Sequence, residues 1–323
     1  MRFLVTGANG LVGSFLCAEL FRRGDKVRSA VRSANANANA NANFADFERT
    51  IVGSINGATD WSAALADMDA VIHLAARVHV MHDTDADPLA AFRAVNVAGT
   101  LNLARQAAAA GVKRFVFVSS VKVNGEGTSP GQAFAESDLP APQDAYGVSK
   151  HEAEQGLRQL AADTGMEVVI IRPPLVYGPG VKANFAALMR AVQRGWPLPL
   201  GAIHNQRSLV ALDNLVDFIV TCTSHPRAAN QTFLVSDGHD LSTTELVRGL
   251  ARAARVPARL LPVPVWVLEA GATLLGKGDA VQRLCGNLQV DISKARGLLG
   301  WVPPVSVSEG LRRALAGVIK EDC

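Results

Sequence analysis

The segment Thr6-Gly7-Ala8-Asn9-Gly10-Leu11-Val12-Gly13 constrains this chain more than any other. It follows a short apolar run, Arg2–Thr6, and opens a helical stretch from Leu11 to about Arg23 that stops at Gly24. Glycines three apart between a strand and a helix divide the labour. Gly7 permits a tight turn, Gly10 lets the backbone approach an anionic ligand, and Gly13 lets the helix pack closely on the sheet. The helix N-terminus adds open N–H groups and the positive end of its dipole. A Gly-rich turn alone is weak evidence. With a strand before it and a helix after it, it predicts a dinucleotide pyrophosphate cradled by Gly7, Asn9, Gly10, Leu11, Val12 and Gly13.

Further short apolar runs stand at Lys26–Val31, Ala70–Leu74, Arg114–Ser119 and Val168–Ile171, with helical patterns between them, and another lies downstream at Thr232–Ser236. Continuous apolar strands alternating with helices predict an α/β fold, a Rossmann-type doubly wound parallel sheet covered on both faces. Residues 1–171 read as the dinucleotide-binding domain. Residues 172–323, with RPPLVYGPG (172–180) and GWPLPLG (195–201), read as a smaller, loop-rich substrate domain, with segments near 205–238 returning to the first. Leu260–Leu275 is broken by Pro262, Pro264 and Glu269 and is expected to form a buried or partner-facing helix. Residues 34–43 repeat Ala-Asn five times, a pattern without amphipathicity from which no function is read.

Composition removes several classes. Of 323 residues, 49% are hydrophobic and 19% charged, which suits a buried core rather than a disordered chain. A net charge of +3 with no basic run predicts no nucleic-acid partner. No apolar stretch is long enough to span a bilayer and the N-terminus is no signal peptide, so a cytoplasmic protein without membrane insertion is expected. Cys17, Cys222, Cys285 and Cys323 are scattered and form no CxxC pair, which predicts neither disulfides nor zinc. His79 and His82, near Asp83 and Asp85, sit in a loop pattern, and no metal is expected there.

Two positions bear on chemistry. The second strand ends Val31-Arg32-Ser33 with no carboxylate. Arg32 and Ser33 can bond a 2′-phosphate, which favours NADP(H) over NAD(H), although Arg32 stacked on adenine suits either. Tyr146 and Lys150 lie four apart on one helix face. An ammonium beside a phenol, helped by a bound nicotinamide, makes the phenol acidic enough for proton transfer at neutral pH. A buried strand ends in Ser119-Ser120, at the sheet edge where ligands of such folds bind, and a hydroxyl there can hold a substrate oxygen.

TGANGLVG, HLAA (73–76), Ser119-Ser120 followed by VKVNG, YGVSK and RPPLVYGPG resemble the extended short-chain dehydrogenase/reductase family. The branch is that of NAD-dependent epimerases and dehydratases. The resemblance implies Tyr146 as acid/base, Lys150 as ribose-binding and pKa-lowering partner, and Ser120, five residues before Gly125, as ligand of the substrate oxygen. Leu74, Ala75, Ala76, Ser119 and Pro173 would line the cofactor cleft. Ser54 and Ile55 would stand near adenine, with Ser54 where the family has an aspartate. Lys122, Asn184, Arg207 and Arg283 would contact substrate, Arg207 first among them for a diphosphate because a planar guanidinium bonds phosphate oxygens bidentately. Val121 and Lys122 occupy the positions where 4,6-dehydratases of the family carry Asp-Glu, which argues against water loss. The resemblance further implies a homodimer and a UDP-sugar substrate. The leading expectation is a 4-ketoreductase of UDP-4-keto-6-deoxy-N-acetylhexosamines. The alternative is a UDP-glucose or UDP-N-acetylglucosamine 4-epimerase with tightly held NAD.

Overall fold

The computed structural model describes residues 1–33, 47–78, 87–274 and 278–318. Strand β1 (Arg2–Thr6) leads through the glycine turn into α1 (Leu11–Arg22) and back to β2 (Lys26–Val31). Next come β3 (Glu48–Ile51), the single turn α2 (Ser62–Leu65) and β4 (Ala70–His73). A helical run follows, made of α3 (Pro88–Phe92), a π-helical segment at Arg93–Gly99 and α4 (Thr100–Ala109), and then β5 (Arg114–Val118). The long α5 (Ala145–Thr164) precedes β6 (Glu167–Arg172). Beyond it lie β7 (Leu175–Tyr177), α6 (Ala183–Gln193), β8 (Leu209–Ala211), α7 (Leu212–Ser224) and β9 (Thr232–Leu234). The chain continues through α8 (Thr243–Ala253), α9 (Val265–Leu274), α10 (Gly278–Cys285), α11 (Ser293–Leu299) and α12 (Val307–Val318).

Among the described residues, seven strands form one sheet in the order β3-β2-β1-β4-β5-β6-β9, and every pair is parallel. The alternation of β1 shows why both faces are covered. Phe3 and Val5 point into a core shared with Leu16 and Leu20 of α1 and Phe218 of α7. Leu4 points into a second core with Val71, Leu103, Phe115 and Leu157. Successive strand side chains face opposite ways, so apolar residues at every position require a layer of helices on each side. A third core gathers Tyr177, Phe185, Met189, Leu209, Leu250 and Leu311.

The first core explains how later chain returns to the sheet. Phe218 and Phe233 belong to it, and so do Leu288, Val290 and Trp301 from still further along. A main-chain seam joins the two regions. Thr128 N–H donates to Asn287 O at 3.0 Å, Phe134 N–H to Gln289 O at 2.8 Å and Asp291 N–H to Phe134 O at 2.8 Å. Leu234 N–H donates to Glu136 Oε1 at 2.8 Å.

The predicted strands appear within a residue or two of their expected ends. Strand β3 had no expectation behind it, because its ERTI is largely exposed and carries no apolar run. The helix expected in Leu260–Leu275 begins only at Val265, after Pro262 and Pro264; Trp266 is 70% exposed while Ala272 is buried. Its Val265 and Leu268 lean on the third core. The Ala-Asn repeat and the His79/His82 pair lie outside the described residues. Among the described residues no helix is long and apolar enough to cross a membrane.

Candidate active site

The site grows from the sheet's reversal point. From β1 the chain runs outward through β2 to β3; from β4 it runs the other way through β5 and β6. In sheets of this order ligands bind beyond the carboxyl ends of the strands at the reversal point. The glycine turn after β1 meets Leu74 and Ala75 after β4 there, with Ala76 next along the chain. Gly7 sits at φ +67°, and a Cβ on it would lie 2.8 Å from Ala75 N. A Cβ on Gly13 would lie 2.2 Å from Gly7 O. Only glycine lets turn, helix and neighbouring loop approach this closely. Gly10 caps α1 without a side-chain hydrogen bond, so the first-turn N–H groups are open to a pyrophosphate. This donor set and the absence of side chains above it fit a dinucleotide.

His73, buried at the end of β4, ties these segments together. Its Nδ1 lies 2.7 Å from Thr6 Oγ1 and its Nε2 2.9 Å from Thr100 Oγ1, while Thr6 Oγ1 accepts Ala75 N–H at 3.2 Å. Burial, then the nearby Lys150, hold its pKa down at about 3, so the ring stays neutral.

Tyr146 and Lys150 lie on successive turns of α5, with Lys150 Nζ 6.0 Å from the phenol ring centroid. Asp144 starts this helix and accepts Gly147 N–H at 2.6 Å. The half-buried phenol packs edge-on against Phe92 at 6.2 Å. Lys150 is 2% exposed, donates to Val118 O at 2.7 Å and stands 4.3 Å over the Phe117 ring. Burial lowers its pKa to about 7 against a small opposing pull from Glu154. The phenol departs from expectation. Burial, then the Asp144 carboxylate, push it up rather than down. The physical reason is that the ammonium is turned to Val118 O and partly neutralised by its own burial, leaving desolvation to dominate.

The two strand-end serines separate. Ser119, expected to line the cofactor cleft, is buried and its hydroxyl donates to Glu154 Oε1 at 2.6 Å. Ser120 is partly exposed; it begins the turn Val121–Val123, where its Oγ accepts Lys122 N–H at 3.2 Å. Pro173, buried, accepts Val121 N–H at 3.0 Å and fixes that turn against β6.

Two groups escaped the sequence reading. Asn96, 1% exposed in the π-helical segment, accepts Arg77 N–H at 2.8 Å and donates to Arg77 O at 3.0 Å and Ser149 Oγ at 2.9 Å. It ties the loop after β4 to α5 between Tyr146 and Lys150. Its only signal was a lone amide in an otherwise apolar helical stretch. Glu154, fully buried, accepts from Arg172 Nε at 2.9 Å and Nη2 at 2.6 Å, and Arg172 also donates to Asn124 at 2.9 Å. That buried pair holds α5 on β6 directly behind the serine turn.

On the substrate side Arg207 is largely buried, donates to Gly286 O at 3.0 Å and has no ion-pair partner among the described residues. Burial lowers its pKa and the Glu126 carboxylate raises it. A buried cation without a matched anion is a ready anion site. Lys122, expected as a substrate contact, is ion-paired within the chain. Its Nζ is engaged by Glu126 Oε1 at 2.9 Å and Asp144 Oδ2 at 2.5 Å. Asn184, at the start of α6 beside Ala183 with a left-handed φ of +56°, and Arg283, on α10, are both exposed. Arg32 and Ser33 are exposed just past β2. Ser54 is exposed and its carbonyl accepts Thr59 Oγ1 at 2.8 Å, while Ile55 packs where Gly99 has no side chain.

Known proteins resemble the chain throughout. The model of the NAD-dependent epimerase/dehydratase family matches residues 3–236. A UDP-glucose 4-epimerase of Vibrio cholerae is 54% identical over 312 residues, covering 96% of this chain and 93% of the relative. Among solved structures, UDP-glucose 4-epimerase of Thermotoga maritima with UDP-glucose superposes with a TM-score of 0.79 at 22% identity over 100% of both chains. UDP-glucuronic acid 4-epimerase of Bacillus cereus in complex with NAD superposes with a TM-score of 0.79 at 23% identity over 99% of both.

Proposed function

The chain belongs to the NAD-dependent epimerase/dehydratase family, and we propose that it is a UDP-hexose 4-epimerase that keeps its NAD bound through the reaction. The observation that carries this reading is the 54% identity to the Vibrio cholerae UDP-glucose 4-epimerase over nearly the whole chain, with Ser120, Tyr146 and Lys150 all present. It replaces the 4-ketoreductase as the leading reading, and NAD replaces NADP. The case for NADP rested on Arg32, whose exposed guanidinium suits stacking on adenine as well as pairing with a 2′-phosphate.

When bound, the nicotinamide would supply a reversible hydride acceptor. The chain's own groups do the remaining work. The Tyr146 phenolate takes the proton of the 4-hydroxyl as carbon 4 is oxidised, and returns it once the 4-keto sugar has presented its other face. Ser120 Oγ holds the same oxygen throughout. The Lys150 ammonium, with the positive ring of the dinucleotide, brings the phenol down toward neutral pH. Arg207 grips the diphosphate, so the sugar can turn while its handle stays fixed.

The test is to incubate the purified protein with UDP-glucose and no added dinucleotide. Formation of UDP-galactose, with no net change in nicotinamide absorbance, is the expected result. Stoichiometric NADPH oxidation on a UDP-4-keto sugar, without any interconversion of UDP-hexoses, would overturn it.

A further inference from the structure

We propose that Lys122 is a positioning residue that bolts the turn carrying Ser120 to the start of the helix carrying Tyr146 and masks the two carboxylates beside them. Its Nζ reaches Asp144 Oδ2 at 2.5 Å and Glu126 Oε1 at 2.9 Å. Asp144 spends its other oxygen on Gly147 N–H at 2.6 Å, one residue beyond Tyr146. A Cβ on Gly147 would lie 2.9 Å from Lys122 O, so turn and helix meet backbone to backbone. Ser120 Oγ in turn holds Lys122 N–H at 3.2 Å. One side chain thus fixes the separation between the oxygen-holding hydroxyl and the proton-transferring phenol.

The electrostatics point the same way. Among the described residues, the charged groups around the phenol are few. Asp144 and Lys150 share its helix, Lys122 reaches in from the serine turn, and Arg77 lies across the Phe92 ring at 5.6 Å. His73 lies behind Lys150 and is neutral. Asp144 is the one carboxylate that raises the phenol, and Lys122 is its counter-ion. Glu126 is the carboxylate facing Arg207, and Lys122 holds it too. Without the ammonium, one carboxylate would keep the phenol protonated and the other would repel an incoming diphosphate.

The inference rests on the 4-epimerase reading only for its kinetic readout; its spectroscopic readout stands without it. The chain has two tyrosines. Tyr177 is fully buried, donates to Asp237 at 2.7 Å and is held far above the ordinary range, so the first phenolate to appear belongs to Tyr146. In the NAD-loaded protein, phenolate absorbance is followed against pH in the parent, Lys122→Met, Lys122→Arg and Asp144→Asn forms. Lys122→Met should raise the midpoint by on the order of one pH unit, and Lys122→Arg should keep it in place. Asp144→Asn, which retains a capping oxygen, should lower it and does not depend on Lys122→Met folding. The rising limb of kcat for UDP-glucose should move with the midpoint, at roughly tenfold lower rate per unit, while the released Glu126 raises KM by less than about tenfold. An unmoved midpoint in Lys122→Met or Asp144→Asn overturns the inference. So does a tenfold rise in KM with the midpoint unmoved, which would make Lys122 a substrate ligand.

Discussion

Lys150→Met should make the protein more stable and inactive at once. An unfolded lysine titrates near 10.4, whereas buried Lys150 is lowered to about 7. Between those values the unfolded chain binds the extra proton, so stability rises with pH across that window. At pH 7 the folded protein therefore lacks about 4 kcal/mol that it would gain above pH 10.5. Methionine removes the ammonium at similar volume. Against that gain, Val118 O loses its donor, at about 1–3 kcal/mol, and the cation–π contact with Phe117 is lost, at about 1 kcal/mol. The net expectation is a variant about 0–2 kcal/mol more stable at pH 7, a rise in Tm of up to about 3 °C. The advantage should shrink as pH rises and reverse near pH 10, where the folded lysine is neutral and the unfolded one has begun to lose its proton. Thermal melts of the two proteins, stripped of dinucleotide, at pH 7 and pH 10 decide the matter. A lower Tm for the variant at pH 7, or a difference that ignores pH, would refute the assignment of Lys150 as a desolvated cation held in place for function.

Two further outcomes follow from the same structure. Glu154→Gln strands the buried Arg172 guanidinium and should destabilise the fold by about 3–5 kcal/mol, read from urea unfolding, with the loss appearing before any effect on UDP binding is interpretable. Arg207→Ala should weaken UDP binding by about ten- to a hundredfold in calorimetry, since a charge-assisted bidentate contact is lost, while kcat at saturating UDP-glucose falls far less; Arg207→Lys should recover only part of the affinity.

The layered sheet was legible because its strands are apolar on both faces. Runs such as Phe3–Val5 and Val168–Ile171 have no other economical place in a globular chain. Gly7 and Gly13 were legible because their constraint is steric and local, and Tyr146 and Lys150 because helical spacing alone brings them together. What was hidden depends on direction. Nothing in Ser119-Ser120 says which hydroxyl turns toward Glu154, a partner 35 residues away in sequence. Nothing in the Lys122 position says that Asp144, 22 residues on, will claim its ammonium. The π-helical segment was hidden too, since one extra residue per turn at Arg93–Gly99 leaves no mark on composition yet decides where Asn96 points. The phenol's upward displacement is likewise a property of burial, which spacing does not reveal.

The main-chain seam between residues 128–134 and residues 287–291, with the Glu136 carboxylate holding Leu234 N–H beside it, bears on how the proposed reaction runs. Prying the two segments apart would break three peptide–peptide hydrogen bonds together, which opposes opening along this seam. On the proposed reading, a 4-keto sugar would then turn between walls held together here, and wall shape would decide which hexoses complete the half-turn.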